Sequence, residues 1–366
     1  MKKFLKIWVI TLLLSSCNSA PTTDVETPPE QKQEENDVFQ FTSNDHLYHV
    51  ILPFKESNKR LVHSSYTGNL NDIKEITRRL QQLSLKYWPF EDYYMAEDRG
   101  LPYDLYRNLL LYSSVNELGL NPEKFQEFET TRSGVTIDQA VIIGDVFELD
   151  FYETNSVDAP LAGVAFAITL NRNFTRNGIS YQLPMDLIHQ YGQSAARKLV
   201  SVLRTRPEFS TVPILVGLYS LNKDDQNLPG NFISQAYFEA HTGQFEEIND
   251  SWVIYPSSQA TNTNSEVAVE FNLFSRAISD FLQSEVVGVV GKGRLIEGQL
   301  DQLSVEVILT AKTYLEIQGI AQFVANQLVQ FEQFNVNIVV DIKHHQSTVA
   351  VVELKRNQSS PSIIIL

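Results

Sequence analysis

Apolar and polar residues follow the spacings of strands and helices along most of the chain from Phe39 onward. Short apolar runs that end at prolines, glycines or polar turns are typical of strands. They predict strands over 46–54, 140–151, 161–170, 212–221, 232–241, 286–295, 303–311, 336–342, 348–354 and 363–366. Apolar residues three and four positions apart predict helices over 72–87, 103–118, 184–203, 267–282 and 316–331. This mixture of strands and amphipathic helices predicts an α+β fold.

Two of the helix starts have the signature of a capping box. Asp72 is followed three residues later by Glu75, and Thr313 is followed by Glu316. In such a box the first side chain accepts a hydrogen bond from a backbone N–H of the first turn, and the acid bonds back to the cap residue. The pairs predict that helices begin next to Asp72 and Thr313.

The order strand, strand, helix, strand, strand occurs twice, over about 141–241 and again over about 286–354. The Ser-, Thr- and Asn-rich segment 256–265 lies between the copies and predicts a break between units. A coincidental match is the alternative, because many α+β domains contain such runs. Taken as a repeat, the order predicts two related units, each an antiparallel sheet covered on one face by its long helix.

The first 16 residues have the organisation of an export signal. A lysine-rich start precedes the apolar run 7–14, which is too short for a bilayer span of about 20 residues. The Leu-Ser-Ser-Cys sequence that ends at Cys17 matches a lipobox. It predicts cleavage between Ser16 and Cys17 and a diacylglyceryl group on the Cys17 thiol, the nucleophile of the motif. An ordinary signal peptide cut elsewhere is the alternative, but the only cysteine stands where the motif needs it.

These features divide the chain into four parts. Residues 1–16 are the predicted signal peptide, and 17–38 are the lipidated cysteine with a disordered tether rich in Pro, Thr, Glu and Gln. Residues 39–256 are the first predicted repeat with an N-terminal helical extension, and 265–366 are the second. The predicted location is the outer face of the cytoplasmic membrane. The predicted partners are the membrane, through the diacylglyceryl-cysteine, and the lipoprotein processing enzymes.

Charge and motifs exclude several function classes. The 366-residue chain has a formal net charge of −15, so its field repels nucleic acid. Its single cysteine allows no intramolecular disulfide. The seven histidines show no HExxH spacing, and no GxSxG motif is present, so no metal, cofactor or catalytic residue is predicted.

Two loops are candidate binding segments, because loops on a rigid scaffold often carry function. The segment LPFKESNKR at 52–60 follows a predicted strand and brings together four polar candidates: Lys55, Glu56, Asn58 and Arg60. The segment at 228–242 adds Asn231 and Phe232 beside a Pro-Gly turn. The alternatives are a solvated turn with a Lys55–Glu56 ion pair, and an aromatic residue that belongs to the core.

Several of these segments together resemble the CamS family. The lipobox, the polar tether, LPFKESNKR at 52–60, LGLNP at 118–122, VPILVGLY at 212–219 and LPGNF at 228–232 are similar to that family. The resemblance implies a lipoprotein of low-GC Gram-positive bacteria, described as a sex pheromone precursor and built of two CamS repeats. It also implies that a short apolar peptide is released from the signal, here from about Val9 to Ser16. It implies no catalytic residue.

Three functions remain open at this stage. The leading expectation is a surface lipoprotein with a binding or accessory ectodomain of unknown ligand, whose signal remnant is a peptide pheromone. An extracellular hydrolase of cell-wall or other polymers is the second, because an acid/base pair of carboxylates leaves no sequence motif. A structural surface spacer is the third. A deep pocket with two converging carboxylates favours the hydrolase, whereas a shallow aromatic groove favours binding.

Overall fold

A computed structural model describes residues 47–67, 70–222, 228–283 and 288–366. The predicted signal peptide 1–16 with Ser16, and the segment 17–38 with Cys17, lie outside the described residues, so cleavage, lipidation and the tether stay predictions. No helix in the described part of the chain combines the length and apolar character needed to cross a bilayer.

The described residues form helices and strands of both predicted kinds, and the α+β class is confirmed. The α-helices are α1 Arg60–Thr67, α2 Leu70–Ser84, α3 Tyr103–Leu109, α4 Met185–Arg204, α5 Ser258–Thr263, α6 Ser265–Leu282 and α7 Tyr314–Leu328. The strands are β1 His49–Val50, β2 Tyr94–Glu97, β3 Phe128–Glu129, β4 Thr136–Ile137, β5 Ile143–Tyr152, β6 Gly163–Leu170, β7 Asn173–Arg176, β8 Ile179–Gln182, β9 Ile214–Ser220, β10 Asn231–Phe238, β11 Phe245–Glu247, β12 Asp250–Tyr255, β13 Gly288–Ile296, β14 Gln299–Leu309, β15 Asn337–His344, β16 Ser347–Leu354 and β17 Ser362–Ile365.

Two large sheets share one internal pairing scheme. The first has the strand order β1-β2-β5-β6-β9-β10-β11, and the second has β12-β13-β14-β15-β16-β17. In the first sheet β5 and β6 are antiparallel, α4 crosses to β9 parallel to β6, and β10 returns antiparallel. In the second sheet β13, β14, α7, β15 and β16 repeat these pairing senses. The expectation of purely antiparallel sheets is therefore wrong at the centre of each, because a helical crossover brings the chain back in the same direction.

The two sheets differ in how many faces are covered. Every residue of β5, β6 and β9 is buried, with α4 on one face and α2 on the other. In β14 and β15 buried and partly exposed residues alternate, and α6 and α7 pack on the same buried face. The expectation of one covered face thus describes the second sheet alone. A strand buried on both faces has a continuous run of apolar residues, whereas a strand exposed on one face alternates apolar and polar residues.

The change from one sheet to the other comes earlier than the polar segment 256–265. Strand β12 pairs with β13, so the change lies between β11 and β12. The polar segment itself forms α5 and the start of α6. Ser257 accepts a hydrogen bond from the backbone N–H of Ala260, and Asn264 accepts one from Val267. Its polar residues are helix caps, which explains why its composition resembles a loop.

Several local predictions need correction at their ends. Within the described part of the strand expected over 46–54, residues 47–54, only His49 and Val50 of β1 are extended in a sheet, and the helix expected over 103–118 ends with α3 at Leu109. The box at Thr313 and Glu316 is confirmed as the cap of α7. The one at Asp72 is wrong, because α2 begins at Leu70. The Asp72 carboxylate instead accepts hydrogen bonds from Tyr219 Oη at 2.7 Å and from the Gly230 N–H at 2.6 Å.

Helix α2 also connects the two sheets through buried arginines. Arg79 on α2 donates two hydrogen bonds to Asp250 of β12, at 2.6 and 3.0 Å. Arg294 of β13 donates to Glu75 Oε1 on α2 at 3.1 Å and forms an ion pair with Asp301 of β14. A guanidinium can bind several carboxylates in one plane, so these contacts set the position of α2 against the second sheet.

Candidate functional site

A group of buried ionisable and polar side chains lies at the edge of the first sheet where β2 ends. Strand β2 pairs with β5 only along Leu149–Tyr152, so the earlier part of β5 faces α1 and the segment after Glu97. We call this group the buried charge cluster. Its members are at most 6% exposed and comprise Ser57, Lys59, His63, Asp98, Tyr106, Asp145, Glu148 and Asp150.

Lys59 lies at the centre of the buried charge cluster. Its Nζ donates to Glu148 Oε2 at 2.6 Å and to Asp98 Oδ1 at 3.1 Å. Its backbone precedes α1: the Ser57 hydroxyl accepts a hydrogen bond from the Lys59 N–H at 3.0 Å, and the Lys59 carbonyl accepts from His63 N at 3.0 Å. Burial by itself lowers the pKa of the Lys59 ammonium, but Glu148 and Asp98 outweigh it and raise the pKa above its ordinary value.

His63 lies one helical turn after Lys59 and reaches two carboxylates. Its Nδ1 is 2.8 Å from Asp145 Oδ2, and its Nε2 is 3.3 Å from Asp98 Oδ2. The ring stacks on Phe147 with 4.1 Å between centroids. Burial lowers the pKa of the imidazole, but the hydrogen bonds to Asp145 and Asp98 outweigh this and raise the pKa to about 9. His63 is therefore an imidazolium at neutral pH.

Asp145 has a second donor, the Tyr106 hydroxyl of α3, with 2.6 Å between Oη and Oδ1. Burial, and then the Asp145 charge, raise the pKa of the Tyr106 hydroxyl. The phenol therefore stays protonated and donates. Helices α1 and α3 are both tied to β5 through this one carboxylate.

Glu148 and Asp150 are two positions apart on β5, so their side chains leave the same face of the strand. Glu148 Oε1 accepts from the Leu101 N–H at 2.6 Å, and Asp150 Oδ2 accepts from the Arg99 N–H at 2.7 Å. Asp150 Oδ1 is buried and has no donor. Burial and the neighbouring Glu148 charge raise the pKa of Asp150 well above its ordinary value, which favours a proton held by this carboxyl pair.

Gly100 lets the chain pass close to both carboxylates. A Cβ at this position would lie 2.8 Å from Glu148 Oε1 and 3.1 Å from Asp150 Oδ1. Any side chain here would push the carboxyl pair away from the Arg99 and Leu101 amides that hold it. The close approach of segment 98–101 to β5 therefore requires glycine.

The predicted loop residues surround the cluster but do not belong to it. Lys55, Glu56, Asn58 and Arg60 are exposed. The ion pair joins Arg60 to Glu56 at 2.7 Å, whereas the alternative of a solvated turn placed it between Lys55 and Glu56. That these four side chains form a binding loop stays a prediction.

The second predicted loop, 228–242, contains the whole of strand β10, and its two candidate residues are the first two of that strand. Asn231 is partly buried there, and Phe232 is fully buried, with its ring 5.2 Å from that of Tyr219 and packed against Gly217. The prediction that Phe232 lies in a binding loop is wrong, because its side chain points into the core beneath α2.

The sequence interpretation missed the cluster residues themselves. One signal was present: β5 carries Asp145, Glu148 and Asp150 among otherwise apolar residues. Three acids in a strand buried on both faces require cations or shared protons nearby, because an isolated buried carboxylate is too costly to desolvate. The cations come from Lys59 and His63, which the sequence separates from β5 by more than eighty residues.

The cluster has the groups of an acid/base site but lacks access for a substrate. The side chains of Lys59, Asp98, Glu148 and Asp145 are 0% exposed. An open groove of about 310 Å³ between α1 and α3 is lined by none of the cluster's side chains. Among the described residues, no group of three or more His, Cys, Asp or Glu side chains is arranged to hold a metal ion.

One family model matches most of the chain, and two solved structures share its fold. The family model described as CamS sex pheromone cAM373 precursor matches residues 54–360. A sex pheromone precursor structure from Lactobacillus salivarius subsp. salivarius UCC118 is 19% identical, with a TM-score of 0.74, over 85% of this chain and 92% of that one. The C-terminal domain of the sex pheromone staph-cAM373 precursor from Staphylococcus aureus is also 19% identical, with a TM-score of 0.67, over 81% of this chain and 96% of that one. A comparison with curated proteins gave no match.

Proposed function

Because this chain belongs to the CamS family of sex pheromone cAM373 precursors, we propose that it is a lipid-anchored extracellular precursor with a binding or accessory ectodomain. The proposal has three parts: an anchor at Cys17, a folded part that binds without catalysis, and a peptide released from the signal.

The anchor rests on the lipobox. One acyl chain binds a membrane only marginally, whereas the two chains of a diacylglyceryl group give stable attachment. The described fold begins at Leu47, so 30 residues (17–46) are available between the lipid and the first described residue. The partners of this part are the membrane and the lipoprotein processing enzymes, and the location is the outer face of the cytoplasmic membrane.

Replacing Cys17 with alanine is expected to abolish attachment of the chain to membranes. The wild-type protein should sediment with membranes and enter the detergent phase on phase separation, because its thiol has acquired the two acyl chains. The Cys17→Ala chain should be recovered from the supernatant. Asn18→Ala, next to the lipobox cysteine, is the matched control and should sediment like wild type. Equal sedimentation of the Cys17→Ala chain would contradict the anchor.

The ectodomain role rests on the burial of the cluster. Acid/base hydrolysis needs carboxylates that reach the substrate, and here the side chains of Glu148 and Asp98 are fully covered. This favours binding or an accessory role over hydrolysis of a polymer. A purified full-length chain incubated with cell-wall polymer should therefore leave the polymer at its original length. Shortened polymer, produced by wild type and not by Glu148→Gln, would overturn this part of the proposal.

The pheromone part rests on family membership and on the apolar residues upstream of Ser16. Cleavage before Cys17 and one further cut leave the peptide Val9–Ser16. Synthetic Val9–Ser16 peptide is expected to induce clumping or conjugation in a responder strain, and a scrambled peptide of the same composition should not. If neither this peptide nor variants trimmed at either end induce a response, the pheromone part of the proposal is contradicted. The anchor part is not affected by that result.

A further inference from the structure

We propose that Lys59 and Asp98 condense within the folded chain into an intramolecular isopeptide bond, with Glu148 transferring the proton. The Lys59 amine and the Asp98 carboxyl lie in contact, with 3.1 Å between Nζ and Oδ1, and both side chains are 0% exposed. Reacting groups held at such a distance behave as if at very high concentration. The cluster also supplies each further group that amide formation requires.

The first of these groups stabilises charge on the carboxyl. Asp98 uses Oδ1 for the Lys59 amine, while its other oxygen, Oδ2, accepts from the Ser57 hydroxyl and lies 3.3 Å from His63 Nε2. A neutral and a cationic donor therefore point at the oxygen that becomes negative when the amine adds to Cγ. Preorganised donors of this kind stabilise tetrahedral intermediates of acyl transfer. Asp145 and the Tyr106 hydroxyl hold the imidazolium in this orientation.

The second group moves protons. Glu148 Oε2 lies 2.6 Å from Lys59 Nζ, close enough to take a proton from the amine directly. Glu148 also shares a face of β5 with Asp150, whose Oδ1 has no donor. A proton held by this carboxyl pair keeps an acid available next to the reacting atoms.

The step balances without any added reagent. Lys59 Nζ forms a bond to Asp98 Cγ, and the Cγ–Oδ1 bond breaks. Of the three ammonium protons, one stays on the amide nitrogen and two leave with Oδ1 as water. Glu148 takes these two protons from Nζ one after the other and returns each to the departing oxygen, so that it ends unchanged. Neither oxidation nor reduction occurs.

At rest Lys59 and Asp98 are an ion pair. The reaction therefore passes through a minor population in which both groups are neutral. Burial opposes both charges, but their mutual contacts, together with those to Glu148 and His63, raise the pKa of Lys59 and lower that of Asp98. Proton transfer through Glu148 makes the amine a nucleophile for the short time that addition needs. Slow chemistry is sufficient, because the bond forms once in the lifetime of each chain. Exclusion of water then protects the amide from hydrolysis.

The bond would join the segment before α1 to the end of β2 in a chain whose single cysteine allows no internal disulfide. A covalent link between distant positions stabilises a fold chiefly by restricting the unfolded chain. It would add a covalent link to this edge of the first sheet, which is otherwise held by ion pairs, hydrogen bonds and packing.

Mass spectrometry of the full chain tests the proposal. The chain is prepared with Cys17→Ala, so that no lipid contributes to the measured mass. We expect an intact mass lower than the sequence mass by one water, and a branched peptide in the digest that joins the segments containing Lys59 and Asp98. Lys59→Arg keeps the positive charge and Glu148→Gln keeps the shape, and both should show the full mass. Lys55→Arg, at an exposed lysine of the same segment, should still show a mass lower by one water.

Two outcomes would overturn the bond. One is a folded Cys17→Ala chain, without further substitution, that has the full sequence mass. The other is a water loss that persists in Lys59→Arg or maps to a cyclised Asp98 with no branched peptide. The measurement on that Cys17→Ala chain decides the question even where a variant fails to fold, and circular dichroism establishes which variants have folded.

Discussion

Replacing Arg294 with methionine is expected to lower the free energy of unfolding by about 3–5 kcal/mol. The Arg294 side chain is 1% exposed and donates to Glu75 Oε1 at 3.1 Å, to Gln82 Oε1 at 3.0 Å and to Asp301. Methionine fills most of the volume but leaves two carboxylates without their shared cation. The lower end of the range is expected, because partly exposed arginines, Arg78 on Glu75 and Arg356 on Asp301, still contact these carboxylates.

Urea unfolding of the Arg294→Met chain measures this effect, and Arg276→Met is its matched control. Arg276 lies on the exposed face of α6, so its substitution should change the free energy of unfolding by less than about 0.5 kcal/mol. Adding Glu75→Gln to Arg294→Met should restore part of the loss, since the unpaired charge is then removed. If Arg294→Met changes the free energy of unfolding as little as Arg276→Met does, the position of α2 does not depend on Arg294.

Raising the pH through about 9 is expected to remove on the order of 3 kcal/mol from the free energy of unfolding through His63 alone. Burial disfavours the imidazolium, but the hydrogen bonds to Asp145 and Asp98 outweigh it, so the pKa in the folded chain exceeds the ordinary 6.5. The stabilisation is complete below about pH 6.5 and is lost as the pH rises through about 9. The contact between His63 Nδ1 and Asp145 is present whether or not Lys59 and Asp98 are joined, so the sign of the trend is the same in both cases.

The pH dependence is measured by urea unfolding between pH 6 and pH 10 in an Asp150→Asn background. That background is needed because burial and the charge of Glu148 also raise the pKa of Asp150, which gives a slope of the same sign. Adding His63→Gln should flatten the profile, whereas His241→Gln, at an exposed histidine, should leave it unchanged. An identical slope with and without His63 would show that another group carries the dependence.

The burial and the partners of individual polar residues could not be predicted from the sequence. Lys59 stands in a run of charged residues that is typical of a solvated loop, and its neighbours Asn58 and Arg60 are indeed exposed. Lys59 is the one charged residue of this run that points inward, because its partner Glu148 lies on a strand 89 positions away. Asp72 had the spacing of a helix cap, yet its partners, Tyr219 and Gly230, are 147 and 158 positions away. Neither arrangement leaves a local pattern.

The sequence by itself determined the features that depend on neighbouring residues. The period of the apolar residues predicted helices α2, α4, α6 and α7 within a few residues, the cap of α7 followed from Thr313 and Glu316, and short motifs identified the family. Tertiary structure alone decided which strands are parallel, which faces are covered, and which charges are buried together. The reason is physical: hydrogen bonding within a turn or a helix involves residues a few positions apart, whereas the burial of Lys59 with Asp98, Asp145 and Glu148 depends on how distant segments pack.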